Sequence, residues 1–168
     1  MHNDSHCSKM IIEYAQLMST AHRYLDGEQY YGKTANGRKI ARWKLNSDLE
    51  HVLYKASHIK HPSGIWVRKS VSNYKWLYEM WTELNNEFMY RYNKDVPHES
   101  YRKLHEALKE PPMNMYEVGF CEPYQAMFDD VKNPNSSIRA YHDYYIKYKQ
   151  HLAKWTKRGM PYWYEQAA

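Results

Sequence analysis

The chain has 168 residues, enough for one domain with a real core, and the expectation is a single domain over residues 1–168. Its aromatic content is unusual, with 18 Tyr and 6 Trp against 3 Phe. Such side chains carry a polar tip and suit wet interfaces and base stacking as well as cores. A net charge of +5 suits a polyanion partner, two cysteines outside any metal-spaced motif argue against a disulfide framework, and no apolar run approaches membrane-spanning length. A cytoplasmic setting with no membrane partner is the expectation.

Residues from His6 to Leu25 read as a helix. Met10, Tyr14, Leu17, Met18 and Ala21 form its apolar stripe, and Asp4 or Ser5 is placed to cap it. A polar stripe runs beside it through His6, Lys9, Glu13, Gln16 and Thr20. From Glu28 to Asn46 the pattern is that of a mobile basic loop, with room for a short hairpin around Ala35-Asn36-Gly37. Ser47 and Glu50 have the spacing of a capping box opening a helix to about His58.

His61-Pro62 then breaks the chain before its longest consistent pattern. Tyr74, Leu77, Tyr78, Trp81, Leu84, Phe88 and Tyr92 recur at three- and four-residue intervals, the period of one helix face. An amphipathic helix comes next, from Glu99 to Lys109, and stops at Pro111-Pro112. Met113 to Pro134 reads as irregular, with at most one helical turn between Tyr124 and Val131. The last helix is expected to be capped by Asn135 or Ser136 and to end at Gly159, with Pro161 following. Ile138, Tyr141, Tyr145, Tyr148, Leu152 and Trp155 form its apolar stripe, and Lys147, His151, Lys154 and Arg158 a basic one. The expected fold class is all-α: a compact helical bundle with three long helices, several short ones and long irregular loops.

Charge is segregated along the chain. Lys33 to Lys75 holds ten Lys/Arg and two acids, and Lys132 to Arg158 holds seven and one, whereas Glu79 to Asp130 holds five Lys/Arg and eleven acids. That pattern implies a basic face and an acidic face, or ordinary solvated charge run by run. The stripe on the last helix suits a phosphate backbone or simple solubility. Trp66 with Arg68, Lys69 and Lys75 can stack a base and hold a phosphate, or Trp66 can be core. Glu13 borders the apolar stripe of the first helix. It is either a base raised by partial burial or a surface partner of Lys9 four residues earlier. No glycine-rich phosphate loop, nucleophile elbow or zinc motif is present, so neither a cofactor nor a metal is expected.

The strings DSHCSKMIIEYAQLMSTAHRYLDG, HPSGIWVRKSVSNYKWLYE with RYNKD, YQAM, AYHDYY with AKWTKR, and PYW span nearly the whole chain. They resemble a family of uncharacterised phage and bacterial proteins sometimes labelled pyrimidine-dimer DNA glycosylase. A narrower likeness to the endonuclease V-type glycosylases rests on Asp4, His6 and Glu13 and on the Trp163-Tyr164 tail. Relatives of that family carry further residues ahead of the DSHC string, so an upstream segment is expected to be missing from this chain.

The resemblance implies an all-α enzyme acting on damaged pyrimidines in double-stranded DNA. It implies an N-terminal α-amine attacking the sugar C1′ to give an imine, and a glutamate supporting ring opening and strand elimination. An α-amine titrates near 8, so a useful neutral fraction exists at neutral pH. Carried over, Glu13 is the catalytic carboxylate and His6 its neighbour, with Lys9, Trp66, Arg68, Lys69, Lys75, Lys147, His151, Lys154 and Arg158 toward DNA. A nucleic-acid-binding module without chemistry, and an enzyme acting on a nucleotide or modified base, are the alternative readings.

Overall fold

The computed structural model describes residues 2–166. Among these residues seven helices and one β-hairpin come in the order α1 (Asp4–Asp26), β1 (Glu28–Lys33), β2 (Lys39–Lys44), α2 (Leu49–Val52), α3 (Pro62–Val67), α4 (Val71–Tyr92), α5 (Glu99–Leu108), α6 (Ser137–Tyr148) and α7 (Tyr162–Glu165). Short 3-10 turns lie at Asp129–Val131 and Gln150–Leu152.

The main core forms where α1 and α4 meet, with α3 and α5 closing it. Ile11, Ala15 and Met18 of α1 face Tyr74, Leu77 and Trp81 of α4, all but fully buried. Trp81 is fixed in direction as well as in place. Its Nε1–H donates to the Ile11 carbonyl at 2.8 Å, so the indole is buried without an orphan donor. Truncating such a residue costs about 3–5 kcal/mol. A second, smaller apolar cluster of Tyr145, Trp155 and Tyr164 joins α6 to the C-terminal segment.

The fold is mostly helical but not all-α, because β1 and β2 pair antiparallel from Glu28↔Lys44 to Lys33↔Lys39. The loop expected over Glu28 to Asn46 is therefore a hairpin. Its turn is closed by Thr34, whose carbonyl accepts from Gly37 N and whose amide donates to Arg38 O, both at 2.9 Å; Gly37 takes φ +74°, which glycine adopts without strain.

Three further expectations change. Asn3, not Asp4 or Ser5, caps α1, its side chain accepting from His6 N at 2.9 Å. The Ser47/Glu50 capping box does not form. The Glu50 carboxylate is taken by Leu45 N at 2.8 Å and Arg23 at 2.6 Å, and α2 is a single turn that ends well before His58. The last helix stops at Tyr148, about three turns short. The start of α1 captures the segment beyond Tyr148: Asp4 N donates to Lys154 O at 2.9 Å, and the Asp4 carboxylate accepts from Thr156 N and Thr156 Oγ1. Backbone groups used in that way cannot serve a helical ladder. Lys147, His151, Lys154 and Arg158 thus do not form one helical stripe.

Met113 to Pro134 is irregular as expected, and side-chain carboxylates and amides hold it in place. Asp26 accepts from the amides of Met113 and Asn114, Glu117 from Ser72 N at the start of α4, and Glu122 from Ser137 N at the start of α6. Trp66 Nε1 donates to Cys121 O, while Asn73 Oδ1 accepts from Cys121 N.

Candidate functional site

The first turns of α1 and the middle of α6 bring four proton-carrying side chains together. Tyr14 OH lies 2.7 Å from His2 Nε2, His2 Nδ1 lies 3.3 Å from Tyr145 OH, and Tyr145 OH lies 2.5 Å from His6 Nδ1. Helical spacing puts His6 beside Tyr14's face of α1, since residues two turns apart share a side. Tyr145 reaches them from α6, 139 positions beyond His6 in the chain.

Burial sets the charge of this chain of groups. It depresses His2 to about 3 and lowers His6, with Lys149 and Lys9 pushing His6 the same way and Glu13 opposing them. It also raises Tyr14 and Tyr145. All four groups are therefore neutral at neutral pH. Two proton arrangements satisfy the chain. In one, Tyr14 donates to His2, His2 to Tyr145 and Tyr145 to His6, leaving a proton on His6 Nε2. In the other, His6 donates to Tyr145, Tyr145 to His2 and His2 to Tyr14, leaving His6 Nε2 as a free base. Passing from the first to the second gives up a proton at His6 Nε2 and takes one up at Tyr14 OH, so every group of the row stays neutral.

Glu13 and Lys9 stand at the rim. Glu13 Oε1 is 3.3 Å from Lys9 Nζ, with the carboxylate 42% and the lysine 61% exposed. Among the basic residues around them, Lys149 at the end of α6 is the one whose charge reaches His6 from outside α1. The sequence pattern does not single it out, because it lies off the expected basic stripe.

The remaining expected site residues are scattered. Trp66 is buried, its ring edge-on to Trp76 and Phe120, which leaves it core rather than a stacking surface. Arg68 is half-buried, donates to Ile59 O at 2.5 Å and lies over the Tyr24 ring at 4.4 Å, so its guanidinium is engaged inside the fold. Lys69 and Lys75 are exposed. Lys147 is paired with Asp130 at 2.5 Å, and Arg158 with Glu87 at 2.8 Å while covering Tyr90. His151 and Lys154 are exposed, the first in a 3-10 turn and the second beyond it.

A cavity of about 460 Å³ lies at the opposite end of α1, between His22, Asp26, the Leu45–Leu49 segment and Glu110–Met113. His22 is bonded there to Tyr74 OH at 2.9 Å. Among the described residues no group of three or more His, Cys, Asp or Glu side chains is placed to hold a metal ion, and no helix is long and apolar enough to cross a membrane. Comparison with family models, with curated proteins and with solved structures finds no match.

Proposed function

We propose that the protein is a DNA-processing enzyme of the glycosylase and abasic-site lyase type, with Glu13 and His6 at its chemical centre. One observation carries the reading. The Tyr14–His2–Tyr145–His6 row ends at His6, within reach of the charges of Glu13, Lys9 and Lys149. A neutral histidine at the end of a hydrogen-bonded row accepts and returns a proton. A carboxylate beside it can support the positive charge that develops on an opening sugar. Lys9, 3.3 Å from Glu13, and Lys149 add positive charge for a phosphate. The likeness of the Asp4, His6 and Glu13 string to the endonuclease V-type glycosylases supplies the reaction class.

The test is strand scission on a duplex with a single abasic site. Glu13→Gln is expected to slow scission by about 10²–10⁴-fold, the range of a general acid–base group, while duplex binding persists. Equal rates for wild type and Glu13→Gln would overturn the assignment.

A second reading, a nucleic-acid-binding module without chemistry, is favoured by one fact. The Lys9–Glu13 contact is also the ordinary i,i+4 surface pair, worth about 0.3–0.5 kcal/mol. Binding without scission under any condition would select it.

A further inference from the structure

We infer that the β1–β2 hairpin is a duplex-DNA-binding ribbon that enters the major groove. The inference rests on the DNA-processing reading and adds to it a contact surface separate from the Glu13 centre.

Residues 28–44 carry Lys33, Arg38, Lys39, Arg42 and Lys44 against one acid, Glu28, which is itself bonded to Asn46. Among the described residues none of the five cations forms an ion pair; the carboxylates that neutralise other basic residues lie elsewhere. No residue of either strand is buried, and Tyr30 and Tyr31 are 50% and 64% exposed. A hairpin with no buried face is not held out in solvent by packing of its own.

Its base is held instead. Arg23, buried in α1, donates to Trp43 O, Leu53 O, Tyr54 O and both the side chain and carbonyl of Glu50, at 2.6–3.2 Å. Trp43 also packs on Tyr24, with ring centroids 5.7 Å apart. The ribbon is therefore fixed at its root and free at its tip.

Register divides the side chains. Tyr31, Lys33 and Lys39 share one face, with Lys39 Nζ 4.1 Å above the Tyr31 ring; Tyr30, Arg42 and Lys44 share the other. Each face thus presents aromatic area and positive charge. Six residues per strand span about 20 Å, and a two-stranded ribbon fits the roughly 12 Å major groove of B-form DNA. The deep, narrow major groove of an RNA duplex does not admit one. Open strand edges also invite a second copy, but like charges on the two ribbons oppose that pairing.

The experiment measures binding of the full chain to an undamaged DNA duplex from about 50 to 200 mM salt. Wild type is compared with Lys33→Gln/Arg38→Gln/Lys39→Gln and with each single variant. Each cation that contacts a phosphate contributes about 0.9 to the slope of log K against log salt. The triple variant is expected to lose about 2–3 of that slope, and the single variants about 0.9 each. An unchanged melting temperature shows that the fold is kept. Equal slopes for wild type and triple variant overturn the ribbon while leaving the Glu13 reading standing. A change in sedimentation with unchanged DNA binding overturns it in favour of a self-contact. Failure of wild type to bind any duplex at low salt overturns the ribbon and the DNA reading together.

Discussion

Asp4 binds Thr156 three times over: Thr156 N lies 3.0 and 3.1 Å from its two carboxylate oxygens, and Thr156 Oγ1 lies 2.7 Å from Oδ2. The same carboxylate pairs with Arg91, whose buried guanidinium also holds Glu87 at 2.6 Å and His2 O at 2.9 Å. One network thus ties the beginning of α1, the end of α4 and the C-terminal segment together. It positions His2 and α6 relative to His6.

That network fixes an acid limit on stability. Burial works to raise Asp4 and Glu87, but hydrogen bonds from Thr156 to Asp4 and from Arg158 and Arg91 to Glu87 outweigh it and hold both carboxyls below their ordinary values. Carboxyls with depressed folded-state pKa values stabilise fully above the unfolded value near 4, and that contribution is lost as pH falls through the folded values. Acid titration followed by far-ultraviolet dichroism is expected to show unfolding below about pH 4, and Asp4→Asn to flatten it. Arg91→Met, which breaks the buried pair, is expected to cost about 3–5 kcal/mol in a urea melt.

His22 gives a second, separate window. Burial depresses it to about 4, and its ring is bonded to Tyr74 OH. The unfolded chain takes up this proton near pH 6.5 and the folded chain only near 4. Stability therefore falls as pH drops between those values, by about 1.4 kcal/mol per pH unit. In His22→Gln the slope in that window is expected to be shallower by about that amount, with the remainder coming from His2, which burial depresses to about 3. An unchanged slope from pH 6.5 to 4 would contradict the assignment.

Arg23 is the root of the hairpin. Arg23→Met leaves the carbonyls of Trp43, Leu53 and Tyr54 without their donor. The expected cost is about 3–5 kcal/mol, with amide exchange accelerating first along β2. Uniform acceleration across α1 and α4 would instead mean that Arg23 supports the whole core.

Tyr145→Phe removes the hydroxyl that joins His2 to His6 while keeping the ring in its apolar cluster. If the row carries protons, scission at an abasic site slows about 10-fold or more and its pH profile shifts, with duplex affinity unchanged. A slower rate with an unaltered pH profile would assign Tyr145 a purely structural part.

Much of this architecture is legible from periodicity. The apolar faces of α1, α4 and α5 read directly from three- and four-residue spacing, because each packs one stripe against the core. The hairpin is hard to read because its strands, EQYYGK and KIARWK, bury no face and so show no apolar alternation. The end of α6 is hidden for a different reason. Its spacing continues to Trp155, but Asp4 takes the backbone of Thr156 and ends the helix early. Contacts of that range leave no trace in local pattern. In the candidate site, His6 and Glu13 are visible on their helix, whereas nothing local marks His2, Tyr14, Tyr145 and Lys149 as site residues. They meet only through packing of α6 on the start of α1.

The most direct test of the central claim is borohydride trapping on an abasic-site duplex. The protein is expected to form a covalent adduct with DNA between about pH 6 and 9, where a neutral amine fraction exists. Peptide mapping should place the adduct on an amine close to Glu13, and Glu13→Gln should still bind the duplex while failing to release the cleaved strand. Absence of any trapped adduct across that range, with duplex binding intact, would contradict the account and leave a protein that holds DNA without acting on it.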